Sequence, residues 1–164
     1  MKNNIVRTVC FATLLVSLAA IASAQGSPSC SNRLAAGDWG YTKTGTLFLP
    51  SGTPVPFATV GKLTLDRHGN LSGVNNGSVG GTISQDVLSG TYTVNPDCTG
   101  AATVEVYDQS GVLLRTLEMA LVIDDDLEQF RGLVTQLALP NGVILKTVIT
   151  AEGKRVFSDR DVKH

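Results

Sequence analysis

The sequence predicts an all-β fold and, within that class, an antiparallel up-and-down β-barrel of eight strands. Apolar and polar residues alternate along most of the chain, turn-forming residues interrupt this alternation at fairly even intervals, and no segment has a helical period. Consecutive hairpins indicate a meander, and a sheet of about eight strands tends to close so that no edge stays exposed. A two-sheet β-sandwich is the alternative, although its turns would come about every 8 to 12 residues and these are mostly spaced more widely.

Eight segments have the strand pattern. They lie near residues 38–49, 55–66, 70–76, 82–94, 101–107, 112–123, 128–139 and 143–151. The pattern is clear in the fourth, where Leu88, Tyr92 and Val94 share one face and threonines lie on the other. Arg115 is the exception on the otherwise apolar face of the sixth. Turns are predicted at residues 51–54, 67–70, 75–77, 95–97, 108–111, 124–126, 140–142 and 152–153.

Glycine is dense in the third predicted strand and beside it. Five glycines lie between residues 69 and 81, at positions 69, 73, 77, 80 and 81. Glycine inside a strand often marks a bulge or a close approach of two backbones. We therefore expect a bent or irregular strand here, or a flexible rim around a binding site.

The first residues have the features of a secretory signal peptide. A short positive stretch with Lys2 and Arg7 precedes an apolar run over residues 9–21, and small residues ending at Ala24 form a cleavage pattern. We expect cleavage near Ala24 and export to the periplasm or the extracellular space. The run is shorter than the ~20 apolar residues of a membrane span, and no later segment approaches that length.

The predicted organisation has four parts. They are a signal peptide (1–24), an N-terminal segment tied by a disulfide (25–36), the β-barrel (37–157) and a flexible C-terminal tail (158–164). The signal peptide carries two of the thirteen basic residues and none of the fourteen acidic ones, so the remaining chain has a formal charge of −3. This charge suggests neither a nucleic-acid partner nor binding to an anionic membrane surface. The oligomeric state stays open.

The cysteines indicate one disulfide. Of three cysteines, Cys10 leaves with the signal peptide, and Cys30 and Cys98 remain in a chain exported to an oxidising space. Two cysteines allow one intramolecular pairing, which would tie the N-terminal segment to the turn that contains Cys98. A redox or metal role is the rival interpretation, but the pair has neither C-x-x-C spacing nor a nearby histidine.

The sequence contains no recognisable catalytic constellation. His68 lies in a predicted turn and His164 is the last residue, so neither is placed for acid/base work, and no hydrolase, zinc or phosphate-binding motif occurs. The acidic run at 124–126 lacks the order of an EF-hand loop and is expected to be a solvated hairpin tip. We therefore predict no catalytic residue, no metal site and no cofactor.

The candidate ligand-binding residues are inward-facing apolar and aromatic side chains. They are Trp39, Tyr41, Phe57, Leu63, Tyr92 and Met119. For Trp39 and Tyr41 the alternative role is packing at one end of the barrel, because a chain with few aromatic residues needs them in its core. The polar residues Glu105, Arg115 and Glu118 could face either way.

Three function classes follow. An eight-stranded barrel is either filled by side chains or wide enough for one small ligand, and the inner faces here are aliphatic and poor in bulky rings. The leading expectation is a secreted protein that binds a small hydrophobic molecule in the barrel. A non-enzymatic surface or structural interaction protein is the alternative. A cyclase or isomerase comes third and would need a few fixed polar groups, such as Glu105 or Glu118, in the cavity.

Two resemblances bear on these expectations. Gly37-Asp38-Trp39, together with Arg155 in "GKRVF", resembles the arrangement in lipocalins, in which an arginine packs over the tryptophan and closes one end of the barrel. The T-D-Y motif of lipocalins is missing.

The second resemblance covers nearly all of the predicted mature chain. The segments "CSNRLAAGDWGY", "FATVGKLTLDRHGNLSG", "GTYTVNPDCTG" and "LVIDDDLEQF" resemble a family of small exported bacterial proteins with the same cysteine pair and no established activity. This resemblance implies secretion, a barrel similar in shape to lipocalins or allene oxide cyclase, and a disulfide between Cys30 and Cys98. It implies no catalytic residues.

Overall fold

The protein is a closed antiparallel barrel. A computed structural model describes residues 30–124 and 126–156. Its elements are a short helix α1 (Asn32–Ala35) and strands β1 (Gly37–Phe48), β2 (Pro54–Leu65), β3 (Asn70–Val79), β4 (Thr82–Val94), β5 (Thr99–Tyr107), β6 (Leu113–Ile123), β7 (Gln129–Ala138) and β8 (Ile144–Arg155). Each strand pairs with the next, and β8 pairs with β1.

The pairing of β1 with β8 decides between the two predicted architectures. This ladder runs over ten residue pairs, from Trp39 opposite Arg155 to Phe48 opposite Lys146, and its length is within the range of the ladders inside the meander. A closed sheet has no edge strand. The predicted eight-stranded up-and-down barrel is therefore confirmed, and the sandwich alternative is wrong.

Two predicted turns are strand residues instead. The segment 75–77 lies inside β3, where the buried Asn75 amide donates a hydrogen bond to the Tyr41 hydroxyl over 3.0 Å. Residues 152–153 lie inside β8, where Gly153 leaves room for the ring of Phe130 on the opposite strand. Asn-Gly and Glu-Gly pairs favour turns locally, but packing across the barrel decides these positions. The turn between β3 and β4 is made by Gly80 and Gly81, both with positive φ.

The third strand is regular, so the predicted bend or irregularity is wrong. β3 pairs with β2 and with β4 without any shift of register. Its glycines allow the backbones of neighbouring strands to approach closely, because a Cβ on Gly73 would overlap the carbonyl of Lys62 on β2. The register shifts lie elsewhere, beside Tyr107, Met119 and Leu137 in the second half of the barrel.

The N-terminal segment is held to one end of the barrel. Cys30 and Cys98 form the predicted disulfide, with their Cα atoms 5.0 Å apart. The side chain of Asn32 accepts a hydrogen bond of 2.7 Å from the backbone N–H of Val94. We call this end of the barrel, where α1 and the disulfide lie, the α1 end. The predicted signal peptide and C-terminal tail lie outside the described residues.

Inner and outer faces follow the predicted alternation. Leu88 and Tyr92 point inward on β4, and Arg115 points inward with its apolar neighbours on β6. Glu118 is exposed on the outer face, and Glu105 also lies there, accepting a hydrogen bond of 2.8 Å from the hydroxyl of Tyr107. The orientation that the sequence left open for these three polar residues is thus decided: the arginine is inside and both glutamates are outside.

Candidate functional site

A small apolar cavity lies inside the barrel. Its volume is about 50 Å³, and its walls come from inward-facing residues of β1 to β8. Five of the six candidate binding residues line it: Trp39, Tyr41, Leu63, Tyr92 and Met119. The sixth, Phe57, is buried outside this cavity, where its ring lies 5.9 Å from the guanidinium carbon of Arg115.

Trp39 forms part of the cavity wall toward the α1 end. It has no exposed surface, and its indole N–H donates a hydrogen bond of 3.0 Å to the carbonyl oxygen of Ala35 in α1. The ring of Phe130 meets it edge-on with 5.5 Å between centroids. Trp39 therefore has the packing role that the sequence offered as an alternative, and one side of it also borders the cavity.

Tyr92 connects the cavity wall to α1 and to the turn between β2 and β3. Its hydroxyl lies 2.6 Å from the carbonyl oxygen of Asp66 and 3.0 Å from that of Asn32. Burial, reinforced by the negative charge of Asp66, raises the pKa of Tyr92 to about 12. Tyr92 therefore stays neutral at ordinary pH, and its hydroxyl keeps its proton for the carbonyl oxygens of Asp66 and Asn32.

Five polar side chains form a belt inside the barrel, which we call the polar belt. Its members are Lys43, Thr59, Asn75, Asp86 and Arg115. Strand register places them side by side, because Lys43 lies opposite Thr59 and Asn75 lies opposite Asp86. Arg115 donates a hydrogen bond of 2.7 Å to Asp86, whose side chain is fully buried. The sequence predicted an aliphatic barrel interior, but part of the interior is polar.

The sequence contained a signal for this belt. Lys43 follows Tyr41 by two residues and Asp86 precedes Leu88 by two, so both belong to inward faces by simple alternation. Arg115 was recognised as the exception on its face. The inward position of Asn75 could not be predicted, because its segment has the composition of a turn.

Several atoms of the belt have no hydrogen-bond partner among the described residues. They are Thr59 Oγ1, Asn75 Oδ1, Asp86 Oδ1 and Arg115 Nε. An unsatisfied buried polar atom costs about 1 to 3 kcal/mol, so proteins keep few of them. The belt thus offers donors and acceptors that the chain itself does not use.

Lys43 links the polar belt to the cavity. Its side chain is 4% exposed, and it is the only charged residue on the cavity wall within the described chain. Its ammonium lies 5.4 Å from the centre of the Tyr41 ring. Burial, together with the nearby positive charge of Arg115, lowers the pKa of Lys43 to about 8, while Asp86 opposes this change.

Other residues singled out in the sequence lie away from the cavity. His68 is exposed in the β2–β3 turn, where its backbone N–H donates to the Asp66 carboxylate over 2.8 Å. Asp124 and Asp126 belong to the β6–β7 turn, and Asp125 lies outside the described residues. Within 30–124 and 126–156, no group of three or more His, Cys, Asp or Glu residues is arranged to hold a metal ion. The same residues include no helix with the length and apolar character needed to cross a membrane.

Fold and site define the class: a closed eight-stranded up-and-down β-barrel with a small apolar cavity bordered by a buried polar belt. Neither the scan against protein-family models nor the search of curated proteins finds a match for this chain. The closed eight-stranded barrel is present, and the guanidinium of Arg155 lies 4.8 Å from the centre of the Trp39 ring. Family membership itself stays a prediction.

Proposed function

We propose that this protein is an exported binding protein that holds a small hydrophobic molecule inside its barrel. The observation that carries the proposal is the apolar cavity of about 50 Å³ lined by Trp39, Tyr41, Leu63, Tyr92 and Met119. Apolar cavities stay dry and take up apolar guests. Export rests on the predicted signal peptide.

The cavity volume limits the ligand. One water-sized group needs ~10–15 Å³ on this measure, so 50 Å³ accommodates about three to five such groups. The ligand is therefore much smaller than the drug-sized molecules that fill typical pockets. Met119 has an unbranched, flexible side chain and is the wall residue best able to make room for a slightly longer guest.

Trp39 makes the proposal directly testable. It is the only tryptophan in the chain and borders the cavity, so its fluorescence should report occupancy. We would titrate the processed protein with butanol and with hexanol, and we expect a saturable change in emission. Ala102→Leu should weaken binding because this residue lines the cavity, whereas Ala101→Leu on the outer face of the same strand should not.

The matched pair separates specific binding from non-specific effects. Unfolding curves of both variants check that each still folds, and Ala151→Val narrows the cavity from β8 if Ala102→Leu does not. Absence of saturable binding to the wild-type protein would overturn the proposal. So would equal affinities of Ala101→Leu and a folded cavity-filling variant.

A surface interaction role is a second candidate. Val60, Val74, Ile83 and Val87 are exposed on the outer faces of β2 to β4, and Val74 lies directly opposite Val87. Neighbouring exposed apolar residues often mark contact surfaces. The occupant to test first is a second copy of the chain, by light scattering of the wild-type protein and of Val74→Lys.

An isomerase or cyclase activity is the third candidate. Such a reaction needs fixed polar groups in an apolar cavity. Glu105 and Glu118 lie on the outer face, so Lys43 and Tyr41 would have to supply those groups. Nuclear magnetic resonance of a bound ligand over hours distinguishes turnover from simple binding.

A further inference from the structure

Lys43 is a buried cation at the border between the polar belt and the apolar cavity. It lies on the inner face of β1, between Thr59 on β2 and Ala151 on β8. Its side chain is 4% exposed and forms part of the cavity wall. Burying a charge without a partner is costly, so native proteins usually pair such groups.

No carboxylate among the described residues forms an ion pair with Lys43, although Asp86 is close enough to act on its charge. The one buried carboxylate, that of Asp86, is bound by Arg115 at 2.7 Å. Within 30–124 and 126–156, no side chain or carbonyl accepts a hydrogen bond from the Lys43 ammonium, and its one contact of this kind is the Tyr41 ring at 5.4 Å. Among the described residues, the barrel interior therefore holds two cations, Lys43 and Arg115, and one anion, Asp86.

A neutral hydroxyl beside Lys43 strengthens the case for an anionic guest. Thr59, a member of the polar belt, lies directly opposite Lys43, and its buried hydroxyl lies near that of Tyr41 without forming a hydrogen bond of ordinary geometry in the described part of the chain. An ammonium and a hydroxyl on neighbouring strands can donate to the two oxygens of one carboxylate. The rest of the cavity wall is apolar, with hydroxyls only on Tyr41 and Tyr92, and suits a hydrocarbon chain.

We propose that the barrel binds a short-chain carboxylate, with its head group on Lys43 and its hydrocarbon chain in the apolar cavity. This inference rests on the proposed function, because it names the chemical class of the molecule held there. The cavity has space for about three to five water-sized groups, and with the carboxyl carbon placed against Lys43 this corresponds to a chain of roughly four to six carbons in all.

The test compares three probes of equal chain length with the wild-type protein. They are hexanoate, hexanol and hexylammonium, each followed by Trp39 fluorescence and by calorimetry. Hexanoate should bind roughly ten- to a hundredfold more tightly than hexanol, the range expected for charge-assisted hydrogen bonds, and hexylammonium should bind least. If hexanol binds as tightly as hexanoate, the head-group assignment is wrong while the proposed function stands. If none of the three binds, both fail.

Substitutions of Lys43 test whether the carboxylate head group of the ligand binds at this residue. Lys43→Met should remove the preference for hexanoate over hexanol and retain hexanol binding. Lys146→Met is the matched control, because it removes the same charge from the outer face of β8 and should keep the preference. Lys43→Gln repeats the test if Lys43→Met does not fold. A preference for hexanoate that survives in a folded Lys43 variant would overturn the assignment.

Discussion

The guanidinium of Arg155, the last residue of β8, lies 4.8 Å from the centre of the Trp39 ring near the start of β1. It also donates hydrogen bonds of 2.8, 2.9 and 3.0 Å to the carbonyl oxygens of Leu34, Ala36 and Leu127. The Arg155 side chain thus links the end of β8 to the start of β1, to α1 and to the β6–β7 turn. Arginine suits this position because its planar fork carries several donors in fixed directions.

Replacing Arg155 should therefore destabilise the α1 end. We expect Arg155→Ala to lower the free energy of unfolding by roughly 2 to 4 kcal/mol, since charge-assisted hydrogen bonds contribute about 1.5 to 3 kcal/mol each and are not additive. Arg155→Lys should recover less than half of this loss because an ammonium cannot span three carbonyls. Urea unfolding measures both, with the exposed Arg131→Ala as control. A loss no larger than that of Arg131→Ala would contradict this role.

Lys43→Met should stabilise the protein at neutral pH. Burial lowers the pKa of Lys43 from 10.5 to about 8, which corresponds to roughly 3 kcal/mol of unfavourable free energy at pH 7. Methionine has a similar length and no charge, so the variant should recover much of this energy. The measurement is chemical unfolding at pH 7, and a destabilised variant would show that the Lys43 charge is already compensated.

The same substitution predicts how stability depends on pH. Between about pH 8 and 10.5 the unfolded chain binds more protons at Lys43 than the folded chain, so wild-type stability should rise with pH there. The advantage of Lys43→Met should shrink from roughly 3 kcal/mol at pH 7 to roughly 1 kcal/mol near pH 9.5. Tyr92, whose pKa is raised to about 12, opposes this trend above about pH 10. A constant difference between the two proteins would refute this account.

Carboxylate binding should weaken in alkaline solution. The charged and titratable groups near Lys43 are Tyr41 on its own strand, Asp86 on β4 and Arg115 on β6. Burial raises the pKa of Tyr41, so the amine of Lys43 loses its proton first. Affinity for hexanoate should fall about tenfold per pH unit above pH 8, while that for hexanol stays constant. A fall of equal size for both probes would point to a general loss of structure instead.

The Asp86–Arg115 pair should behave as a buried ion pair. Asp86→Leu leaves Arg115 unpaired and should cost about 3 to 5 kcal/mol, whereas Asp86→Leu combined with Arg115→Met should restore stability or exceed that of the wild type. The pair of the exposed Lys62 and the half-buried Asp38, 2.8 Å apart, is the control, and Lys62→Ala should cost less than about 1 kcal/mol. Thermal unfolding of the wild type, Asp86→Leu, the double variant and Lys62→Ala tests this prediction. A double variant less stable than Asp86→Leu would show that it is wrong.

Loss of the disulfide should lower stability without changing the fold. The bond joins residues 68 positions apart, and the loop-entropy relation gives roughly 4 kcal/mol for such a loop. The Cys30→Ser, Cys98→Ser double variant should keep its barrel, because the β1–β8 ladder closes the sheet without the bridge. Circular dichroism and urea unfolding measure these two properties. Unchanged stability in the double variant would argue that the bridge does not restrain the unfolded chain.

The sequence by itself determined the strands and their inner faces. Side chains alternate with a period of two along a strand, so Leu88 and Tyr92 could be assigned to one face from spacing alone, whereas the orientation of Arg115 stayed open. The disulfide followed from counting cysteines in a chain expected to be exported. Five of the six candidate binding residues line one cavity for the same reason: they are large apolar or aromatic residues at inward positions.

Tertiary structure alone decided how the interior is shared between apolar and polar groups. Register across the closed sheet places Lys43 opposite Thr59 and Asn75 opposite Asp86, and these pairings depend on contacts between strands rather than on local pattern. The same register keeps Asn75 and Gly77 in a strand although Asn-Gly favours a turn. Whether an inward charge is paired, as Arg115 is, or faces a cavity, as Lys43 does, depends on which side chains other strands bring beside it.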